Sequence, residues 1–356
     1  MKVIRNFIGI VLTGAFFFVG ACFVVHRSKV LNSFNDYKTS YSMKKYNTGE
    51  FRVNVRKIGD ESSKYKIVVL SDYNSHDLSI QMKKLNEELS DDFEIVYVDR
   101  AGYGFSEDST KEQNIERIVL AYRNALMNAG VTRNYILLAN GYSSVYATYW
   151  EVNYPKNVAG VIYLDSRIVD GNTIDLPTDI TVEDYQNLLL TKIGLHRLNL
   201  DKYYTRVPAS FGEKDLELSK ELNASNTYSS AQLSEKKNLV SNQLKAFNTL
   251  KETEIPKLYI ESSYGFRSNE ELSDYINWYN EYANDVGLAH KSELTFLEKE
   301  SIIENDTKYH EETIVPFTEK LGNTKIELLP GDNKIYIYKP KELGDIIKNF
   351  VSKELK

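Results

Sequence analysis

Residues 134–155 admit few backbones. An apolar run of strand character, 135–139, breaks at Asn140-Gly141 and resumes over 144–153 as a helical segment that stops before Pro155. So short a connection between strand and helix has to turn sharply. Its tip falls on Gly141, which takes left-handed backbone angles without a Cβ clash. Ala139 lies two positions before the tip and Ser143 two after, so strand and helix can approach closely.

The rest of the chain alternates strands with helices around this unit. Residues 51–58 alternate apolar with polar side chains, as a half-buried opening strand does, whereas 65–70 form a continuous apolar strand. A further strand at 94–98 precedes a helical spacing of Ile115, Ile118, Val119, Tyr122 and Leu126 that ends at Gly130. Beyond the central unit come strands at 158–165, 255–260 and 325–329, and Pro340 opens a helix reaching Phe350. This βαβ rhythm predicts a mostly parallel twisted sheet flanked by helices, with the site at the carboxyl ends of the strands.

Specific residues carry a resemblance. Asp99-Arg100-Ala101-Gly102-Tyr103-Gly104-Phe105-Ser106 matches the D-R-x-G-x-G-x-S turn of the α/β-hydrolase superfamily. Tyr154-Pro155 followed by 158–165 resembles that family's sixth strand, and Ile255-Pro256 resembles its entry to the next. Residues 139–143 align with the nucleophile elbow G-x-S-x-G. The resemblance covers about 50–170 and 250–354. It implies an α/β-hydrolase fold with a helical cap, divided as a first core part at 49–166, a cap at 167–250, and a second core part at 251–356 that carries a charged insertion at 266–322. The insertion is expected to hold helices at 269–282 and 309–321 joined by an acidic, mobile link, with His290 and His310 as lone exposed histidines.

The chemistry the family performs needs a hydroxyl at the tip and an imidazole to take its proton. The tip here is Gly141, and the position implied for the histidine, counted back from Pro340, is Asn333, which has no basic nitrogen. The acid has no clear place: the turn at 261–265 lacks Asp, which leaves Asp165 and Asp170 after the preceding strand, with Asp165 equally readable as a structural residue at the sheet end. Ser143 should point into the first helical turn. The family's His-Gly turn, whose loop supplies an oxyanion-hole N–H, is replaced by Ser71-Asp72-Tyr73, and a carboxylate there would repel a developing oxyanion. Asp72 reads as the cap of a helix starting near Leu78, or else as a binding residue at the cleft mouth together with His76. Ligand-binding candidates are therefore Asp72, Tyr73, His76, Tyr142 and Ser143. No catalytic residue, metal site or cofactor is expected. Restoring Gly141→Ser together with Asn333→His should bring serine and histidine into contact.

Residues 6–25 are uncharged and apolar, long enough to span a bilayer core at about 1.5 Å per residue. An uncleaved anchor over 1–26, a cleaved signal, and lipid attachment at Cys22 stay open; each exports the domain, as a single-pass, extracytoplasmic protein at the cell membrane if the anchor stays. Residues 27–48 read as a polar stalk. One cysteine forbids an intrachain disulfide, and a net charge of −6 leaves no basic surplus for nucleic acid. Three functions fit: a pseudohydrolase that binds a small molecule or a protein partner; a serine-type esterase or peptidase with a displaced triad; and a structural protein that uses 266–322 for a partner contact, so that deleting the insertion should spare small-ligand binding.

Overall fold

Strand β5 (Tyr135–Gly141) lies mid-sheet, buried from Tyr135 through Asn140 because helices cover both of its faces. The computed structural model describes residues 2–204 and 206–355. Beside β5 run β3 (Lys66–Leu70) and β6 (Val158–Ser166), and beyond them β4 (Glu94–Val98), β7 (Lys257–Glu261) and β8 (Thr324–Leu328), all mutually parallel. Two antiparallel strands, β2 (Arg52–Gly59) and β1 (Met43–Asn47), complete the order β1-β2-β4-β3-β5-β6-β7-β8. The period-2 alternation of strands splits the core: Leu137 and Ala139 face one layer with Trp150, while Ile136 and Leu138 face the other with Leu343 and Ile347.

The helix after the tip, Ser144–Asn153, is pinned from inside. Glu151 and Lys257 are fully buried, with Lys257 Nζ 3.4 Å from Glu151 Oε2. Thr253 joins them: its Oγ1 donates to Glu151 at 2.9 Å and receives Lys257 Nζ at 2.8 Å. Burial pushes the Glu151 carboxyl up to about 7.

The cap consists of helices Val182–Lys192, Glu213–Ser225 and Ser230–Thr249, with 3₁₀ turns at Leu195–Lys202. Two expectations change. Residues 27–48 are not a free stalk: the N-terminal helix runs unbroken over Lys2–Tyr37, and Val30, Phe34 and Tyr37 pack against Phe105, Phe211 and Leu218 before β1 joins the sheet. The physical reason is the i, i+4, i+7 spacing of those three side chains, an apolar stripe within a polar segment. The insertion, too, is part of the body. Its link contains helix Phe296–Tyr309, followed by a π turn His310–Ile314 and helix Val315–Leu321. Ile314, Phe317 and Leu321 are buried in the main core, and Phe317 packs edge-on against Tyr163 and Tyr259. Deleting 266–322 would therefore open the core instead of sparing the cleft.

Lys257→Met should destabilise the protein by about 3–5 kcal/mol at pH 8, because it strands a buried carboxylate. The loss should shrink at pH 6, where Glu151 carries a proton, and Glu151→Leu in the same chain should recover most of it; urea unfolding at the two pH values measures both.

Candidate functional site

The register of β3 on β5 pairs Leu70 last with Ala139, so two residues beyond that pair Asp72 lies against Gly141, the final residue of β5. Gly141 holds φ +60°, and a Cβ built on it would lie 2.5 Å from either carboxylate oxygen of Asp72. The space of a tip side chain is thus filled from the neighbouring strand. Asp72 Oδ1 accepts the backbone N–H of Tyr142 at 2.6 Å and that of Tyr73 at 2.8 Å. These are the residue after the tip and a residue of the loop after β3, the two sources of an oxyanion hole in this kind of elbow. The hole is occupied by the protein's own carboxylate.

Arg100 fixes this arrangement from beneath. Its guanidinium donates to the carbonyls of Ser71 at 2.6 Å and Asp72 at 3.1 Å, and it pairs with Glu235 of the third cap helix at 3.2 Å. Tyr146 Oη donates to the same Glu235 at 2.6 Å. The D-R-x-G-x-G-x-S turn is self-bonded: Ser106 Oγ donates to Asp99 O, Asn54 Nδ2 donates to Asp99 Oδ2, and the backbone N–H of Phe105 reaches the same oxygen. Burial raises Asp99 to about 6. Burial likewise raises Asp72 above the ordinary carboxylate range, against its two N–H donors and the nearby Arg100.

Above the tip lies a cleft of about 790 Å³ between sheet, cap and insertion. Asp72, Asp165, Asp170, Asp175, Glu261 and Asp332 line it, together with five tyrosines (73, 142, 259, 264 and 309); Arg167 is the one cationic residue among the described lining residues. Arg167 is already committed to Asp175 through two bonds of 2.7 and 2.8 Å. A second hollow of about 550 Å³ shares Asp72, Tyr73 and Asn333 with the first.

Of the residues singled out in the sequence, Asp72, Tyr73, Tyr142, Gly141, Asp165 and Asn333 meet at this cleft. His76 and Ser143 do not. His76 is buried under the cleft floor, its ring 5.1 Å from that of Tyr103, and burial lowers it to about 3. Ser143 is fully buried and its hydroxyl donates to Leu70 O at 2.7 Å, so it braces the elbow. Nor does Asp72 cap a helix: the residue preceding helix Leu78–Gln81 is Asp77, whose side chain makes no capping bond.

Asp165, next to last in β6, holds φ +44° and accepts Ser262 Oγ, Ser263 N and Ser263 Oγ at 2.8–2.9 Å. That makes it a clasp between β6 and β7. His310 is not a lone histidine, since its Nδ1 meets Glu261 Oε2 at 2.5 Å and Arg267 reaches the other Glu261 oxygen at 3.2 Å. What the sequence reading missed is the contact between Asp72 and Gly141. The signal was available: a glycine at the tip and a carboxylate at the loop position each fall two residues past the last paired residues, Leu70 and Ala139.

The chain has the α/β-hydrolase fold. Solved structures similar to it include Cfl2 from Burkholderia cenocepacia (14% identity, TM-score 0.55, covering 86% of this chain and 95% of that one). The enol-lactonase from Burkholderia xenovorans LB400 is similar at 12% identity and TM-score 0.53, over 87% of this chain and 100% of the other. At these identities the likeness establishes the fold alone. Among curated proteins, the chain is 26% identical over 285 residues to the uncharacterized protein YbdG of Bacillus subtilis (strain 168), covering 77% of this chain and 75% of that protein. No protein-family model matches.

Gly141→Ser alone should destabilise the fold by about 1–3 kcal/mol, from positive-φ strain and the clash with Asp72. Asp72→Gly in the same chain should relieve the clash. The Gly141→Ser, Asn333→His pair is therefore insufficient as a restored site: esterase turnover, followed with p-nitrophenyl acetate, should require Asp72→Gly as well.

Proposed function

We propose that this protein is a membrane-anchored binding protein that uses a hydrolase scaffold without hydrolysing its ligand, and that the ligand is a small organic cation. The observation that carries the reading is Asp72 Oδ1 bonded to both hole donors. A substrate carbonyl approaching Tyr142 N would meet a carboxylate where its own developing oxyanion has to form, and it would find neither a tip hydroxyl nor an imidazole at Asn333.

The lining supports the choice of a cation. Of the six carboxylates, Asp175 pairs with Arg167 and Glu261 with Arg267 and His310, while Asp72, Asp165, Asp170 and Asp332 have no ion-pair partner among the described residues; desolvation strengthens the field of a carboxylate left without a counterion. Tyrosine faces add cation–π attraction for an ammonium group. Asp72 Oδ2 has no hydrogen-bond partner among the described residues, and it offers the innermost acceptor.

The exposed apolar length of the N-terminal helix supports the anchor, since Phe16, Phe17 and their neighbours have no protein contact to bury them. The helix continues through Cys22, whose carbonyl packs against Gly194, which favours an intact anchor over lipid attachment at that cysteine.

A fluorophosphonate probe should leave the protein unmodified by intact-mass measurement; stoichiometric serine labelling would overturn the reading. Calorimetric titration with spermidine and with choline should show binding that weakens as the pH falls through the raised range of Asp72. Asp72→Asn should lower the affinity about tenfold, the loss of one charge-assisted contact of about 1.5 kcal/mol, and flatten that pH dependence. The same variant tests the linkage. A carboxyl raised in the fold opposes stability as pH climbs past its unfolded value toward its folded one. Asp72→Asn, which keeps an oxygen for both N–H donors, should therefore unfold at a higher temperature than the wild type at pH 7 and at the same temperature at pH 3.

A further inference from the structure

The first cap helix, Val182–Lys192, turns part of its apolar surface outward. Its buried residues are Asp184, Asn187 and Thr191, while Val182, Tyr185 and Leu189 are 73%, 53% and 59% exposed. The outward residues fall at i, i+3 and i+7, a single stripe along one face. The inward polar face has partners that explain it: Asp184 closes a capping box on Thr181 and takes a 2.9 Å ion pair from Lys236. Lys237 reaches the Tyr185 hydroxyl at 3.5 Å, but Val182 and Leu189 are left largely exposed, as is Leu198 in the turns that follow. A helix that turns its apolar side away from its own domain has a second apolar medium to meet.

The surroundings identify that medium. The helix ends at Gly194, in the left-handed region at φ +80°, and a Cβ there would lie 2.5 Å from the carbonyl oxygen of Cys22. Three residues on, Arg197 Nε donates to His26 Nδ1 at 2.8 Å, and the His26 ring meets that of His196 at 5.0 Å. Cys22 and His26 bracket the end of the uncharged apolar run at 6–25. The cap is therefore bolted to the N-terminal helix at the level where that helix leaves the hydrocarbon. Leu189 lies about 7–8 Å along the cap helix from that bolt, within the depth of an interfacial zone. Lys192 is exposed near the same end, and its long stem suits a headgroup contact.

We infer that the helix Val182–Lys192, with Leu198, lies in the membrane interface with Val182, Tyr185 and Leu189 immersed among lipid headgroups and upper acyl chains, so that the cap rests on the bilayer that holds the anchor. The inference rests on the anchor reading above. It commits to lipid over a soluble protein because the residues directly after the stripe, Gly194, His196 and Arg197, touch the anchor at Cys22 and His26, where its apolar run ends.

The test uses the full chain in phosphatidylglycerol/phosphatidylethanolamine vesicles, with Cys22→Ala as background and a fluorescent label on one of Tyr185→Cys, Leu189→Cys, Leu198→Cys or Phe16→Cys. All four positions are more than half exposed, the label at 185 giving up only the contact with Lys237, and circular dichroism confirms each fold. Labels at 185, 189 and 198 should be quenched several-fold more by lipid carrying a nitroxide near the headgroup than by a water-soluble nitroxide, and the Phe16 label by a mid-chain nitroxide. Quenching of 185, 189 and 198 from water alone, with Phe16 still quenched from the acyl chains, would overturn the interfacial placement and leave the anchor standing. Protection of the three from both quenchers would also overturn it, in favour of a protein or second-copy contact. A Phe16 label open to water would sink anchor and placement together.

Discussion

A single carboxylate oxygen, held between the backbone N–H groups of Tyr142 and Tyr73, sets the terms for everything around it. The requirement runs both ways. Asp72 can occupy that position only because residue 141 has no side chain, and Gly141 leaves no void only because Asp72 fills it. The two departures from the hydrolase pattern, which look in sequence like separate losses, are one packing solution. Arg100 extends it outward, since the same guanidinium that holds the Ser71 and Asp72 carbonyls also pairs with Glu235 on the cap. A charge-assisted bond in such surroundings is worth about twice a neutral one, so the hole donors are firmly engaged before any ligand arrives.

Electrostatics then separate this cleft from a hydrolytic one. An oxyanion hole works because fixed positive dipole ends await negative charge and no reorganisation is needed when that charge forms. Here the dipole ends are already satisfied, and the remaining lining is acidic, with its one guanidinium tied to Asp175. On the reading proposed above, the field inside the cleft works against an anionic transition state and in favour of a bound cation. Asp99 and Asp72 both sit above the ordinary carboxylate range, through burial, and Glu151 does so deeper in the core. The molecule thus carries carboxyls under desolvation at several levels, of which only Asp72 faces the cleft.

The fold was legible because its signals are local. The apolar strand runs, the D-R-x-G-x-G-x-S turn and the tip at Gly141 each follow from spacing within about ten residues, and the sheet places them as the resemblance implies. The site was half legible. That Gly141 and Asn333 cannot perform acyl chemistry follows from their side chains alone, whereas what replaces that chemistry depends on strand register, a pairing of Leu70 with Ala139 that no local pattern encodes. The same limit hid His310, paired with Glu261 across 49 residues, and the clasp of Ser262 and Ser263 on Asp165 across 97 and 98. Polarity misled in the segment 27–48, where three apolar residues at helical spacing dock the helix although most of their neighbours are charged or polar.

A cap that covers a cleft has to let ligand in, and the fastenings differ enough in strength to show where. On the core side, the Arg100 and Glu235 side chains are almost wholly buried, so parting them would leave charge without water. On the anchor side, Gly194 and Arg197 lock onto Cys22 and His26, and Arg197 also pairs with Glu221 behind them. The remaining wall is the segment between β6 and the first cap helix, where Asp170, Ile174, Leu176 and Pro177 line the cleft without regular secondary structure. It is held by Arg167 to Asp175, whose carboxylate side chain is 63% exposed, and by Gln243 to the Asn172 carbonyl. An ion pair so open to water contributes at most about 1 kcal/mol, far less than either of the other two fastenings. On the proposed reading, entry is therefore easiest through this wall, with the rest of the cap fastened between the N-terminal helix and the sheet.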